Sequence, residues 1–116
     1  MTAVLPTFAE TYTPATNHAF ANSSDVFVGC LERYGWSHEF IMLAEECSEL
    51  TQAAMKLHRV QHNSEERGKA LDHLAEEMAD VRIMLEQLTM MFDNDQRVAE
   101  WVDYKLDRQR QRLASA

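Results

Sequence analysis

The sequence predicts an all-α protein, and three observations carry that prediction. Both prolines, Pro6 and Pro14, lie in the first fifteen residues of a 116-residue chain that has only three glycines, so few residues break a helix after residue 22. From there on, apolar residues recur at three- and four-residue steps, the period of an amphipathic helix. No alternation typical of a strand stands out. We expect an irregular N-terminal arm at 1–22 and one four-helix-bundle-like domain at 23–116.

The first two predicted helices are bounded by a serine cap and a glycine. The first helix begins at Ser23 or Ser24, either of which could cap it, and ends at Gly35. The second runs from about Ser37 to about Val60. Its predicted apolar face consists of Phe40, Leu43, Cys47, Leu50, Ala54 and Leu57.

A polar connection at 61–64 leads into the third predicted helix, roughly 65–92, for which Ser64 is the expected cap. After a break at 93–95, the fourth helix runs from about Gln96 to Leu113. The apolar stripe of the third helix consists of Leu71, Leu74, Met78, Val81, Leu85 and Leu88. The apolar members of the fourth are Val98, Trp101, Val102 and Leu106.

Composition excludes several classes of function. The net charge of -8, from 19 acidic and 11 basic residues, argues against binding a nucleic acid polymer, which depends on Lys and Arg neutralising phosphates. The two cysteines, Cys30 and Cys47, form no CxxC motif, so neither a disulfide scaffold nor a zinc knuckle is expected. No apolar run approaches the roughly 18 residues of a membrane span, and no signal peptide is evident. The expected location is the reducing cytoplasm.

Two acidic motifs lie within otherwise apolar stretches of the second and third predicted helices. Glu46 and Glu49 form one pair, and Glu77 and Asp80 form the other; the members of each pair are three positions apart. Residues at this spacing point the same way from a helix, with Cβ atoms roughly 5–6 Å apart. If the two helices pack antiparallel, four carboxylates converge on one point.

Four converging carboxylates require a cation, because they repel one another and raise one another's pKa values. Oxygen-only ligands suit Mg²⁺, with Mn²⁺ as a substitute, whereas zinc prefers nitrogen and sulfur. Magnesium held by carboxylates completes its coordination with water and substrate phosphates. The motifs therefore predict a divalent-metal site that cleaves a phosphate ester or phosphoanhydride, with an attacking water whose pKa the metal lowers.

Two other interpretations account for inward-facing or clustered acids on helices. A ferritin-like di-iron protein needs a glutamate three positions before a histidine on two helices, and no histidine in this chain has one. That interpretation fails. A non-enzymatic acidic helical interaction module stays open; it predicts no metal dependence, and it tolerates Glu49→Gln and Asp80→Asn.

The doubled form of the motifs carries a family resemblance. The chain reads E-E-C-S-E at 45–49 and E-E-M-A-D at 76–80. This pattern resembles the all-alpha nucleoside triphosphate pyrophosphohydrolases, the MazG-like superfamily that includes helical dUTPases and dCTPases. The resemblance extends over roughly residues 25–113. It includes Trp36 before the first motif, Lys56 after it, and a basic element, Lys105-x-x-Arg108, in the last helix.

The resemblance implies a specific reaction: Mg²⁺-dependent cleavage between the α- and β-phosphates of a nucleoside triphosphate, giving a monophosphate and pyrophosphate. The catalytic candidate is Glu45, which would orient or deprotonate the attacking water, while Glu76 is expected on the surface. The implied metal ligands are Glu46, Glu49, Glu77 and Asp80. The implied substrate contacts are Trp36, Lys56, Lys105 and Arg108. Related enzymes are multimeric, so a homodimer or homotetramer is expected, with a role in cleaning the nucleotide pool.

Overall fold

The computed structural model describes residue 20 and residues 22–115, and every regular element in those residues is an α-helix. The all-α prediction is confirmed, and each helix boundary lies within two residues of its predicted position. Residues 1–19 and 21, nearly all of the predicted N-terminal arm, lie outside the described residues. The helices are α1 (Ser24–Tyr34), α2 (Trp36–Val60), α3 (Ser64–Phe92) and α4 (Asp95–Ser115).

One glycine makes the turn between α1 and α2. Gly35 has φ 84° and ψ 168°, a conformation that is essentially restricted to glycine. Its backbone N–H donates to the carbonyl of Leu31 at 2.9 Å. Because a single residue reverses the backbone in this way, α2 begins immediately after α1 ends.

The start of α3 is capped one residue earlier than the sequence predicts. The side-chain oxygen of Asn63 accepts a hydrogen bond from the backbone N–H of Glu66 at 3.0 Å, which satisfies one of the free amides of the first helical turn. Ser64 is therefore the first residue of the helix rather than its cap. At the other end, Asp93 terminates α3 in the left-handed region, with φ 50°.

Helices α2 and α3 form an antiparallel hairpin, which is the main packed unit of the chain. Only residues 61–63 connect the end of α2 to the start of α3. Two long helices that pack against each other across so short a connection run in opposite directions. Residues at seven-residue steps line this seam, as in a coiled coil. The seam residues are Glu39, Glu46, Ala53 and Val60 on α2, and Ala70, Glu77 and Met84 on α3.

The packed seam includes only half of each predicted apolar stripe. Ala53 is 2% exposed, whereas Ala54, the predicted core residue, is exposed. On α3, Leu71, Met78 and Leu85 are 39%, 49% and 51% exposed. The other half of each stripe is half-buried: Leu43, Leu50 and Leu57 on α2, and Leu74, Val81 and Leu88 on α3. The predicted faces are therefore correct on one side, and on the other side the line that carries the carboxylates is buried in place of the apolar one.

Helices α1 and α4 relate to the hairpin in different ways. Helix α1 lies against both α2 and α3 and buries Phe27. Helix α4 has no buried residue and touches the other helices at isolated points at most. Within one chain, the expected four-helix arrangement is therefore not closed. None of the described helices is long and apolar enough to cross a membrane.

Candidate metal centre

The two acidic motifs meet at the middle of the α2–α3 hairpin. One carboxylate oxygen from each of Glu46, Glu49, Glu77 and Asp80 lies within 4.8 Å of the others. Each pair shares a face because its members are three residues apart on a helix. The antiparallel hairpin then places one pair opposite the other. The convergence expected from the motif spacing is thus present in the folded chain.

The four carboxylates differ in their exposure to solvent. Glu77 is 5% exposed, Glu46 and Asp80 are half-buried, and Glu49 is exposed. Burial is the largest cause that raises the pKa of Glu46, followed by the negative charges of Asp80, Glu49 and Glu77. Burial likewise raises the pKa of Glu77, followed by the charges of Glu49 and Asp80, while His73 acts in the opposite direction. Both shifts arise from burial and from repulsion among the carboxylates.

Two oxygens of this group are buried without a hydrogen-bond partner among the described residues. They are Oε2 of Glu46 and Oε2 of Glu77, one from each helix. A buried polar atom without a partner costs roughly 1–3 kcal/mol, and more when the group is charged. Such atoms call for an explanation, of which an ion is one. Both oxygens belong to residues of the four-carboxylate group.

The donor set fits a hard divalent cation. All four groups are carboxylates, and no cysteine or histidine belongs to this set of four. Oxygen ligands of this kind suit Mg²⁺ and Mn²⁺. One exposed member, Glu49, leaves the group open on one side, as a site that also admits water and substrate must be. The residues present therefore fit the metal that the sequence implies.

The other acids of the two motifs lie outside the group of four. Glu45 is exposed on α2 directly beside Glu46, where it faces solvent rather than the seam. The Glu76 side chain is 69% exposed, as expected for a surface residue. Glu45 is thus free to contact a water molecule at the edge of the site, but it does not share in coordinating the cluster.

The structure places Trp36 and Lys56 on opposite sides of the cluster along α2. Trp36, at the first residue of the helix, makes an edge contact with Phe92, with ring centroids 5.6 Å apart. It is ten residues from Glu46, about 15 Å at the helical rise of about 1.5 Å per residue. Lys56 lies beyond Glu49 and lines a separate cavity between α2 and α3. Neither side chain belongs to the carboxylate cluster.

The basic element of the last helix does not reach the cluster within this chain. Lys105 Nζ lies 5.9 Å from the ring centroid of Trp101, and the Arg108 guanidinium lies 5.7 Å from that of Tyr104. Both contacts are internal to α4. Among the described residues, neither cation forms an ion pair with the four carboxylates.

His73 is the site neighbour that the sequence argument missed. Its Nε2 is 3.7 Å from Oε1 of Glu77, and its Nδ1 is 3.8 Å from Oε1 of Glu76. The three residues also converge as a group of their own beside the four carboxylates. The di-iron pattern has its glutamate three positions before the histidine, whereas here the acids follow the histidine. The H-x-x-E-E order at 73–77 gives the same helical proximity and was the available signal.

Comparison with known proteins returns no match. No family model matches the chain, and no curated protein or solved structure is significantly similar to it. The site must therefore be interpreted from its own geometry and from the motif resemblance.

Proposed function

We propose that this chain is a magnesium-dependent nucleoside triphosphate pyrophosphohydrolase. The observation that carries the proposal is the convergence of four carboxylates within 4.8 Å, two of them with a buried oxygen that has no hydrogen-bond partner among the described residues. Such a cluster is stable when a cation neutralises it, and magnesium bound in this way normally holds substrate phosphates. The identity of the substrate and the bond cleaved come from the motif resemblance.

The proposed reaction is hydrolysis at the α-phosphate. A water oxygen bonds to the α-phosphorus, and the bond from that phosphorus to the oxygen bridging to the β-phosphate breaks. The products are a nucleoside monophosphate and pyrophosphate. In the cytoplasm, such a reaction would remove surplus or non-canonical nucleotides from the pool.

The residues of the centre have distinct proposed roles. The exposed carboxylate of Glu45 orients the attacking water and takes its proton. A bound Mg²⁺ supplies charge for the phosphoryl oxygens and lowers the pKa of the water. Trp36 and Lys56 are proposed substrate contacts from the same chain. The proposed metal ligands are Glu46, Glu49, Glu77 and Asp80.

We also propose that the active form is a homodimer or homotetramer, in a MazG-like architecture. The support is the apolar line of α3 that no helix of the same chain covers, together with the wholly exposed α4. In the part of the chain that the structure describes, Lys105 and Arg108 each contact a ring of their own helix and form no ion pair with the carboxylate cluster. If they contact the substrate, Lys105 and Arg108 of one copy would therefore approach the carboxylate cluster of a second copy.

The first test is release of pyrophosphate from a panel of nucleoside triphosphates with and without Mg²⁺. We expect turnover that requires the metal and falls at least 100-fold in Glu49→Gln and Asp80→Asn, since groups at a metal site of this kind contribute several kcal/mol to transition-state stabilisation. Glu32→Gln is the matched control, because it removes an exposed acid of α1 that belongs to neither acidic group.

The competing function is a non-enzymatic acidic helical interaction module, which the exposed apolar residues of α4 favour. It predicts no turnover of any triphosphate and no change in melting temperature on adding Mg²⁺ or Mn²⁺. Both results together would reject the enzyme. Turnover that survives in Glu49→Gln and Asp80→Asn would reject the proposed ligands.

A further inference from the structure

A second cavity lies between α2 and α3, towards the loop end of the hairpin. It has a volume of about 300 Å³ and is lined by Lys56, Glu66, Lys69, Ala70 and His73. Lys56 comes from the second half of α2, and the other four come from the first three turns of α3. We call it the Lys56–His73 cavity.

The lining of this cavity is mostly apolar in area, and its charged side chains have an excess of cations in a chain of net charge -8. Two of its five residues are lysines and a third is a histidine, against one acid, Glu66. Among the described residues, Lys56 forms no ion pair. Lys69 is 3.8 Å from Glu65, but both side chains are at least 80% exposed. Exposed pairs of this kind contribute little, so the Lys69 ammonium is available to another anion. The start of α3 adds the positive end of a helix dipole.

The cavity adjoins the carboxylate cluster through His73. The ring that lines the cavity places Nε2 3.7 Å from Oε1 of Glu77. Along the helices, His73 is four residues from Glu77 and Lys56 is seven from Glu49, about 6 Å and about 10 Å at the helical rise. An anionic group that extends from the cluster towards the loop end of the hairpin therefore meets this cavity first.

We propose that the Lys56–His73 cavity is the subsite for the β- and γ-phosphates, and so for the pyrophosphate product. The inference rests on the proposed function, and it assigns two residues that the motif resemblance does not, Lys69 and His73. The two lysines supply point charges for the terminal phosphates. The imidazole, whose two nitrogens face Glu76 and Glu77, stands between the bound phosphates and the carboxylates of the cluster. Glu66 opposes the anion and limits its affinity, which favours release of the product.

The test is calorimetric titration of inorganic pyrophosphate, with Mg²⁺ present, into the full-length chain. We expect Lys69→Met and Lys56→Met each to weaken pyrophosphate binding roughly tenfold, since each removes one charged hydrogen-bond donor. Binding of a nucleoside monophosphate should stay within twofold in Lys69→Met, because its phosphate lies at the cluster. Arg110→Gln, which removes an exposed positive charge from α4, is the matched control.

Three results would each overturn the subsite. The first is a wild-type chain that does not bind pyrophosphate, and the second is equal pyrophosphate affinity in the wild type and Lys69→Met. The third is an equal loss of affinity in Arg110→Gln, which would show a general charge effect. Failure of the proposed function is distinguishable. If the wild type hydrolyses a triphosphate but Lys69→Met binds pyrophosphate as tightly as the wild type does, the subsite is rejected and the hydrolase is not. If Lys69→Met weakens pyrophosphate binding but the wild type hydrolyses no triphosphate, the hydrolase is rejected and the anion subsite is not.

Discussion

At the scale of single residues, Glu46 and Glu77 are the two carboxyl groups that the fold destabilises in their charged forms. Each has a buried oxygen without a hydrogen-bond partner among the described residues, and burial is the largest cause of each raised pKa. A folded chain without metal therefore holds two carboxyl groups in an environment that disfavours their charged forms. A residue selected for stability alone would be apolar at these seam positions.

These shifts predict how the stability of the metal-free chain depends on pH. Both pKa values lie above the ordinary glutamate value of 4.5, so the folded chain retains protons that the unfolded chain has released. The free energy of unfolding therefore falls as the pH rises from 4.5 through the raised pKa values. Below 4.5 both states are protonated and the effect vanishes. The groups that face the two glutamates are Glu49 and Asp80, with His73 on the cavity side of Glu77.

The measurement is urea unfolding of the wild type and Glu77→Gln in chelator, from pH 4.5 to about 8. We expect the variant to be the more stable at neutral pH, and its advantage to shrink towards pH 4.5. Saturating Mg²⁺ should reverse the order, since a ligand at 100 times its Kd stabilises the folded state by about 2.7 kcal/mol. A variant that is less stable than the wild type throughout the pH range in chelator would argue against repulsion in the cluster.

At the scale of elements, the α2–α3 hairpin is held by a narrow seam of small residues and carboxylates. Ala53 and Ala70 are both buried, and alanines at such positions let two helices approach closely. Close approach is also what brings the carboxylates of one helix within 4.8 Å of those of the other. The register of the hairpin and the geometry of the metal centre are therefore set by the same contacts.

A pair of neighbouring alanines tests this register. Ala53→Leu inserts a large side chain into a position that is 2% exposed, and we expect it to lower the free energy of unfolding by about 1–3 kcal/mol. Ala54→Leu adds the same side chain at an exposed position and should change stability by no more than about 0.5 kcal/mol. Chemical denaturation of both variants measures the difference. If Ala54→Leu lowered the free energy of unfolding more than Ala53→Leu did, Ala54 rather than Ala53 would be the buried residue, and the seam described above would be rejected.

The α1–α2 turn gives a second matched pair. Gly35 has φ 84°, whereas Gly29 lies inside α1, and no neighbouring atom would obstruct a Cβ at either position. We expect Gly35→Ala to lower stability by about 1–3 kcal/mol, the cost of forcing a side chain into that backbone conformation. Gly29→Ala should raise it by about 1 kcal/mol through helix propensity. Thermal unfolding of the two variants decides the point, and a tolerated Gly35→Ala would contradict the turn geometry.

At the scale of the whole molecule, one chain leaves too much apolar surface exposed for a self-contained bundle. Helix α4 carries a row of exposed apolar residues, and α3 carries a second along its predicted stripe. Contiguous exposed patches above a few hundred Å² generally mark interaction sites. The α4 residues concerned are Val98, Trp101, Val102, Tyr104, Leu106 and Leu113.

The spacing of the α3 residues indicates the kind of surface that covers them. Leu71, Met78 and Leu85 follow one another at seven-residue steps and are exposed, whereas Leu74, Val81 and Leu88 are half-buried. An apolar line with a seven-residue period is typical of a helix that packs against another helix. Because α2 occupies the neighbouring seam, we expect the partner to be a helix of a second copy.

This association predicts a change in assembly state from one substitution. Leu85→Glu places a charge in the middle of the apolar line, and we expect it to shift a dimer or tetramer to monomer at micromolar concentration. Ile83→Glu is the matched control, since Ile83 has similar exposure, 43% against 51%, but lies off the line. Sedimentation equilibrium measures the mass. A wild-type monomer, or equal effects of the two changes, would reject the α3 interface.

Much of the molecule follows from local sequence patterns. The four helices, the glycine at residue 35 and the pairing of Glu46 with Glu49 depend on periodicity and on residue conformational preferences. These act over a few neighbouring positions, so they can be recognised in one chain. The convergence of the two acidic pairs also follows once the helices are taken as antiparallel, because both motifs lie near the middle of their helices.

Other features depend on which surfaces meet, and no local pattern contains that information. Periodicity identified the apolar line through Leu71, Met78 and Leu85 but could not say that α2 would pack along the neighbouring line instead. The proximity of His73 to Glu77 was readable from the helical spacing. Its position between the cluster and the Lys56–His73 cavity was not.

The amino-acid sequence by itself determined that this protein is helical and that four carboxylates lie in two helix-borne pairs, because both depend on spacing along one helix. Only the tertiary structure decided which side of each apolar stripe turns inward, which carboxylate oxygens lose their access to water, and which lysines line a cavity beside them. These depend on the rotation of α2 against α3 about their own axes, and no pattern within a single helix contains that rotation.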